Sequence, residues 1–325
     1  MTKTDTRDST ATSNQILKLV DCGCEIVRVA VPDAEAADAL TRIIKDSPIP
    51  VIADIHFDHR LALAALKAGV DGLRLNPGNI RKPEHIKKVV YAAAERDVPV
   101  RIGINAGSLP PADTSYNSVA DHMVAIALKE IQFLESLDFD LIKLSLKAFD
   151  VPTTIAAYRK IARLVSYPLH LGITEAGLPK TGIIRSSTGI GILLYEGLGD
   201  TIRVSLSTDP CEEVFTAFEI LKSLNLRQHG PVLVSCPTCG RTEADVIPLA
   251  EAIDRQLQKI NKPIKVAVMG CVVNGPGEAK DADIGIACGK GKGALFKKGK
   301  VIRTVDESMF FSALMDEINR LCELD

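Results

Sequence analysis

Cys236-Pro237-Thr238-Cys239 is followed, 32 positions after its second thiol, by Cys271 in the run Gly270-Cys271-Val272-Val273-Asn274-Gly275-Pro276-Gly277-Glu278. Three thiols and one carboxylate are therefore on offer in one stretch. A Cys-x2-Cys pair delivers two sulfurs from a tight turn, and Pro237 with Gly275 and Gly277 lets the backbone bend round a bulky inorganic group. The bare pair is shared by zinc ribbons, redox dithiols and accidental neighbours. A structural zinc site calls for a second close pair of ligands, and the distant half here supplies one cysteine and no nearby histidine. A dithiol needs no third cysteine. Three thiolates with a weaker or open fourth position describe an iron-sulfur cluster of the substrate-active type, which the spacing favours over zinc and over a thiol pair. The other cysteines, Cys22, Cys24, Cys211, Cys288 and Cys322, have no partner at ligand spacing and read as small buried hydrophobes.

A second set of reactive side chains lies where apolar residues belong. Arg28, Arg74, Arg101, Lys143 and Arg203 each interrupt a short aliphatic run. With a period of two, further polar residues share their faces: Asp54 with His56, Arg74 with Asn76, Arg101 with Asn105, Lys143 with Ser145 and Lys147, His170 with Thr174, and Arg203 with Ser205 and Ser207. A lone arginine in a strand is explained by an ion pair at its end. Cations recurring on five strands exceed what Asp54 and Glu175 can neutralise, and an unpaired buried charge costs several kcal/mol. A small substrate bearing phosphates, gripped by arginine forks, answers that surplus. His56 and His170 read as proton donors or as hydrogen-bonding core residues. The Arg185-Ser186-Ser187-Thr188-Gly189-Ile190-Gly191 stretch reads as a turn offering N–H groups to phosphate, or equally as a helix cap.

The elements that must position these groups alternate. A helix over 8–22 is followed by apolar runs at 24–31, 50–56, 72–77, 99–105, 141–146, 168–173 and 201–207, with helical periodicity at 34–45, 59–69, 83–96, 118–136, 153–165 and 209–224. Such alternation predicts an α/β fold, a TIM-type (β/α)8 barrel, and no Gly-x-Gly-x-x-Gly turn follows the first strand to suggest a doubly wound sheet. Seven strands are one short of closure, and a chain opening on a helix reads as lacking the first barrel strand; restoring one upstream is expected to add stability and activity. Past a boundary near 225–231, strands at 232–236, 264–270 and 283–288, a Gly/Lys-rich hairpin at 289–300 and helices at 245–259 and 307–323 predict a smaller α+β unit, with the cysteines at strand ends. The expected domains are 1–228, which binds substrate, and 229–325, which holds the cluster.

The chain has 325 residues, enough for one large domain and a smaller one, and its 39 Lys and Arg balance 41 Asp and Glu. That balance argues against nucleic acid as main partner. The polar N-terminus and the lack of a long apolar run predict a cytoplasmic protein without a membrane anchor.

Several blocks together carry a resemblance: Ile52-Ala53-Asp54-Ile55-His56-Phe57-Asp58, Leu73-Arg74-Leu75-Asn76-Pro77-Gly78-Asn79, Arg101-Ile102-Gly103-Ile104-Asn105-Ala106-Gly107-Ser108, Leu171-Gly172-Ile173-Thr174-Glu175-Ala176-Gly177, Gly199 to Leu206, and the two cysteine motifs. In this order they resemble the 4-hydroxy-3-methylbut-2-en-1-yl diphosphate synthase family, iron-sulfur enzymes of the methylerythritol phosphate route to isoprenoids. The resemblance implies a barrel binding 2-C-methyl-D-erythritol 2,4-cyclodiphosphate and a C-terminal 4Fe-4S domain, the ring being opened with two electrons and loss of water. It implies Cys236, Cys239, Cys271 and Glu278 as cluster ligands, and Arg28, Arg74, Arg101, Lys147, Arg203 and Ser205 on the diphosphate. It implies Asp54, His56, Asn105 and Glu175 as residues lining the site. It further implies a head-to-tail homodimer, flavodoxin or ferredoxin as electron donor, and no membrane or nucleic-acid partner. Family members carry further residues before the segment matching Met1, including the first barrel strand, in agreement with the strand count. The large extra domain of plant-type members has no counterpart between the two units. Against this stand two other classes, a zinc-stabilised barrel lyase or aldolase acting on a phosphosugar and a non-catalytic iron-sulfur electron carrier. The carrier gives no reason for cations on five strands.

Overall fold

The structure is a computed structural model that describes residues 1–56, 58–75, 82–111, 116–271 and 275–323, with the side chains of residues 275 and 276 excepted. It divides into two compact units, Met1–Leu226 and Arg227–Asp325.

In the first unit strands and helices alternate: α1 (Ser9–Asp21), β1 (Val27–Ala30), α2 (Ala34–Asp46), β2 (Val51–Ile55), α3 (His59–Ala68), β3 (Gly72–Leu75), α4 (Pro83–Ala94), β4 (Val100–Asn105), α5 (Val119–Glu135), β5 (Ile142–Lys147), α6 (Val151–Ile161), β6 (His170–Leu171), α7 (Pro179–Tyr195), β7 (Thr201–Ile202) and α8 (Pro210–Ser223). Strands β1 to β5 form one parallel sheet in sequence order, and β6 pairs with β7. A parallel bridge from Leu144 to Leu169 carries the ring from β5 towards β6. Five of these helices start at an Asp: Asp8, Asp33, Asp58, Asp150 and Asp209 accept first-turn backbone N–H groups of α1, α2, α3, α6 and α8. Residues 2–6 run beside β1, with Thr2 N donating to Arg28 O at 3.0 Å and Thr6 Oγ1 to Ala30 O at 2.7 Å. Lys3 Nζ also reaches Leu206 O, on the segment after β7.

Period two divides each strand. Val27, Val29, Val51, Ala53, Ile55, Leu73, Val100, Ile102, Ile142, Leu144 and Leu146 are buried in one continuous apolar core with the inner stripes of the helices. The polar residues at the alternate positions are left to the barrel lumen.

The stretch 185–191 corrects a sequence expectation. It lies inside α7, so its N–H groups serve the helix and not a phosphate-binding turn. The helix was hidden because Gly182, Gly189 and Gly191 with Ser186, Ser187 and Thr188 are poor helix formers. Contact demands two of these: a Cβ on Gly182 would come within 2.6 Å of Leu206 Cδ2, and one on Gly189 within 2.5 Å of Ile173 Cδ1.

A second correction concerns Cys22 and Cys211, expected to be unpartnered. They are joined as a disulfide with Cα atoms 5.8 Å apart, although 189 positions separate them. Spacing along the chain cannot show that α1 and α8, the first and last barrel helices, are neighbours. Cys288 is a buried apolar residue as expected, and burial pushes its thiol up to about 12.

The second unit contains β8 (Val232–Ser235), α9 (Val246–Leu257), β9 (Lys265–Met269), α10 (Gly275–Glu278), β10 (Ile284–Cys288), β11 (Lys292–Lys297), β12 (Lys300–Asp306) and α11 (Phe310–Glu323). Its sheet has the order β12-β11-β10-β9-β8, with β8, β9 and β10 parallel. Helices α9 and α11 bury one face against it. Among the described residues no helix is long and apolar enough to cross a membrane.

Candidate functional site

The lumen of the barrel collects positive charge. Arg74 Nη1 donates to Asp54 Oδ1 at 3.0 Å, and Arg28 Nε lies 3.4 Å from Asp54 Oδ2. His56 Nε2 stands 3.5 Å from that same oxygen, with its ring reaching solvent. Burial alone would raise the Asp54 carboxyl. The hydrogen bond from His56 and the charges of Arg28 and Arg74 outweigh burial and hold it well below the usual carboxylate range.

Among the described residues Lys147 has no such partner. Burial first, then the positive fields of Arg101, Arg203, Arg28 and Arg74, push its ammonium well below the ordinary lysine value. Arg101 is pushed down to about 9 by burial and by Arg28 and Arg74, and its buried Nε has no hydrogen-bond partner among the described residues. Arg203 Nη2 lies 3.7 Å from Glu213 Oε1. Among the described residues, Arg28, Arg74, Arg101, Lys147 and Arg203 thus share the lumen with the carboxylates of Asp54 and Glu213. Desolvating like charges together is unfavourable without a counter-charge, so the arrangement suits a polyanion.

Two glycines, unremarked in the sequence, make the crowding possible. A Cβ on Gly103 would sit 2.7 Å from Arg74 Nε, and one on Gly172 would sit 2.6 Å from both Lys147 Nζ and Arg203 O. Both face the lumen at the strand period of two, Gly103 two positions from Arg101, and that period was the signal available.

His170 Nδ1 pairs with Thr201 Oγ1 at 2.9 Å, and its buried Nε2 has no hydrogen-bond partner among the described residues. Burial and Lys147 push the imidazole well below its ordinary value, so it is neutral. Asn105 and Lys147 are register partners at the ends of β4 and β5. Glu175 is exposed and takes a left-handed φ of 55°, a conformation rare for a residue with a side chain and common at functional sites. Arg185 steadies that loop, donating from Nη1 to Ala176 O at 2.8 Å while stacked over Phe149. Ser205 is half-buried on the segment beyond β7. Asn76 and the rest of 76–79, with Phe57, lie outside the described residues.

In the second unit the cysteines stand at strand ends. Cys236 extends the β8–β9 ladder through its N–H to Val268 O at 3.0 Å. Cys236 Sγ lies 3.6 Å from where a Cβ would stand on Gly270, the residue before Cys271. Thr238 takes a left-handed φ of 61°, turning the Cys-x2-Cys loop. Thr242 Oγ1 accepts from Cys239 N at 2.9 Å, and Glu243 N donates to Gly270 O, tying the loop to the β9 end. Hydrogen bonding from the Arg241 backbone holds the exposed Cys239 thiol below its ordinary value. Glu278 is exposed and ends one helical turn. Residues 272–274 lie outside the described residues, and among those described no three ligating side chains are drawn together as for a metal.

Fold and lumen define an α/β barrel protein built to hold a small polyanion, carrying a separate thiol-bearing α+β unit. Residues 1–218 match the GcpE TIM-barrel domain and residues 232–320 the GcpE protein C-terminal domain. The chain belongs to the GcpE family. A relative from Dehalococcoides mccartyi, named 4-hydroxy-3-methylbut-2-en-1-yl diphosphate synthase (flavodoxin), is 63% identical over 321 residues, covering 99% of this chain and 92% of the relative. One of the same name from Geobacter sulfurreducens is 55% identical over 323 residues, with coverage of 99% and 92%. Among solved structures, Yersinia pestis dihydropteroate synthase superposes with a TM-score of 0.51 at 11% identity, over 67% of this chain and 90% of that one. That likeness shows the barrel fold alone.

Proposed function

We infer that this chain makes 4-hydroxy-3-methylbut-2-en-1-yl diphosphate from 2-C-methyl-D-erythritol 2,4-cyclodiphosphate, as an oxidoreductase of isoprenoid precursor biosynthesis. The observation that carries this reading is the surplus of lumen cations, above all Lys147, on which Arg101, Arg203, Arg28 and Arg74 all act. A cyclic diphosphate supplies the missing counter-charge. The zinc-lyase alternative explains the cations equally but is not favoured by the relatives' names.

Two electrons and one proton enter; the ring C–O bond to phosphate breaks, leaving a linear diphosphate with one more negative charge, and a hydroxyl takes up the proton and leaves as water. In this reading Arg28, Arg74, Arg101, Lys147, Arg203 and Ser205 grip the diphosphate, with Asn105 at the end of β4 beside Lys147. Because the bound group stays a diphosphate while one of its oxygens gains charge as the ring opens, preorganised cations stabilise the opening more than the ground state. Asp54 orients Arg28, Arg74 and His56. His56 and Glu175 are the groups assigned to pass a proton to the departing hydroxyl. The donor set of three cysteines and Glu278, with the Cys239 thiol held below its ordinary value, suits a 4Fe-4S cluster held by Cys236, Cys239, Cys271 and Glu278. When bound, that cluster supplies electrons singly and a Lewis-acidic iron.

The same reading takes flavodoxin or ferredoxin as the electron donor, the cytoplasm as the compartment and a homodimer as the assembly. Anaerobically purified protein given the cyclodiphosphate and a chemical reductant should form the linear hydroxymethylbutenyl diphosphate and contain iron and sulfide. Zinc at one per chain, no iron and no product would overturn the reading.

A further inference from the structure

We propose that Glu213 is a positioning residue for the diphosphate-binding segment, acting through Arg203 and through the backbone that carries Ser205. This rests on the function proposed above. Glu213 stands in the first turn of α8, where an acidic residue ordinarily faces water, yet its side chain is only 6% exposed. Its Oε1 accepts from Leu206 N at 2.9 Å and lies 3.7 Å from Arg203 Nη2. Both partners lie on a segment that has left the regular ladder: β7 ends at Ile202, after which Arg203 N still donates to Leu171 O. The buried Leu206 N–H is met by the Glu213 carboxylate in place of a strand carbonyl, and the next amide, Ser207 N, donates to Gly177 O.

One carboxylate therefore holds Arg203 at one end of a four-residue stretch and Leu206 at the other, with Ser205 between. The charge matters as much as the hydrogen bond. Arg203 shares the lumen with Arg28 and Lys147, and without an anion behind it mutual repulsion would swing its flexible side chain towards solvent. A substrate phosphate would then meet a guanidinium that must first be reordered, which weakens binding more than it slows the chemical step.

Glu213→Gln keeps an oxygen acceptor for Leu206 N and removes the charge; Glu213→Ala removes both. Cyclodiphosphate affinity is measured by calorimetry on anaerobically purified holoenzyme, beside KM and kcat. Glu213→Gln is expected to weaken binding and raise KM about tenfold with kcat within about twofold, and Glu213→Ala to lose more affinity. In an Arg203→Gln background, Glu213→Gln is expected to add no further loss, since the two act as one unit. Unchanged KM and affinity in Glu213→Gln overturns the proposal. So does an equal fractional loss in the Arg203→Gln background, which would mark a purely structural role. Should Glu213→Ala not fold, the Gln variant and the double variant still decide. A wild-type protein that neither binds nor converts the cyclodiphosphate would instead overturn the function proposed above.

Discussion

Arg74 Nη1 meets Asp54 Oδ1 at 3.0 Å with side chains only 7% and 3% exposed, so this part of the positive lumen is organised about the withdrawn Asp54 carboxylate. A pair this buried contributes little net stability against an apolar replacement, but removing one member leaves the other stranded.

Asp54→Asn is therefore expected to destabilise the protein by about 3 to 5 kcal/mol in denaturant unfolding. Inorganic diphosphate should recover more stability in the variant than in the wild type, because it meets two arginines without their carboxylate. Equal stabilisation of both proteins by diphosphate would contradict the lumen as the anion site.

Gly103→Ala places a methyl 2.7 Å from Arg74 Nε, and the guanidinium has to move to admit it. A shift of about 1 Å at a substrate-gripping group costs on the order of 10²-fold in kcat/KM. Steady-state kinetics of Gly103→Ala should show that loss with the overall fold retained by circular dichroism. Wild-type kinetics would mean that Arg74 does not grip substrate.

Stability should depend on pH in a definite direction. Lys147 is held well below 10.5 and His170 well below 6.5, chiefly by burial, so the unfolded chain binds more protons than the folded one between each folded value and its ordinary value. Stability then rises with pH across those windows. Asp54, depressed when folded, loses its contribution only as pH falls below the ordinary carboxylate range. Melting temperatures from about pH 5.5 to about pH 9 should rise less steeply in Lys147→Met than in the wild type, and less steeply in wild type with diphosphate. Identical slopes in the three samples would show that Lys147 keeps an ordinary value.

Glu278→Gln should leave a cluster that assembles but has altered spectra and much lower turnover, since a hard carboxylate is the exchangeable ligand in the proposed set. Cys239→Ser should impair assembly itself. A Mössbauer spectrum of Glu278→Gln with the unique iron site unchanged would remove Glu278 from the ligand set.

Much of this was legible in the sequence because two periods coexist in it. Aliphatic residues at every second position of the runs around Val27, Val51, Val100 and Ile142 announced strands, and the intervening Arg28, Asp54, Arg101 and Lys147 announced a polar inner face. Helix α7 was not legible, because Gly182 and Gly189 serve contact with Leu206 and Ile173 at the expense of local helix propensity. Glu213 was missed for a related reason: in a helix first turn an acidic residue reads as a response to the helix dipole. Only the three-dimensional structure shows that it turns inward to Leu206 and Arg203. The Cys22–Cys211 pair depends on the closing of a ring, which no local pattern encodes.

Whether the barrel lumen holds the cyclic diphosphate is tested most directly by a crystal structure of the protein with that compound, grown without oxygen. Both phosphorus atoms are expected in the lumen, with phosphate oxygens in hydrogen-bond contact with Arg101, Lys147 and Arg203. A lumen without the diphosphate, in crystals where the compound is bound elsewhere, would contradict that expectation.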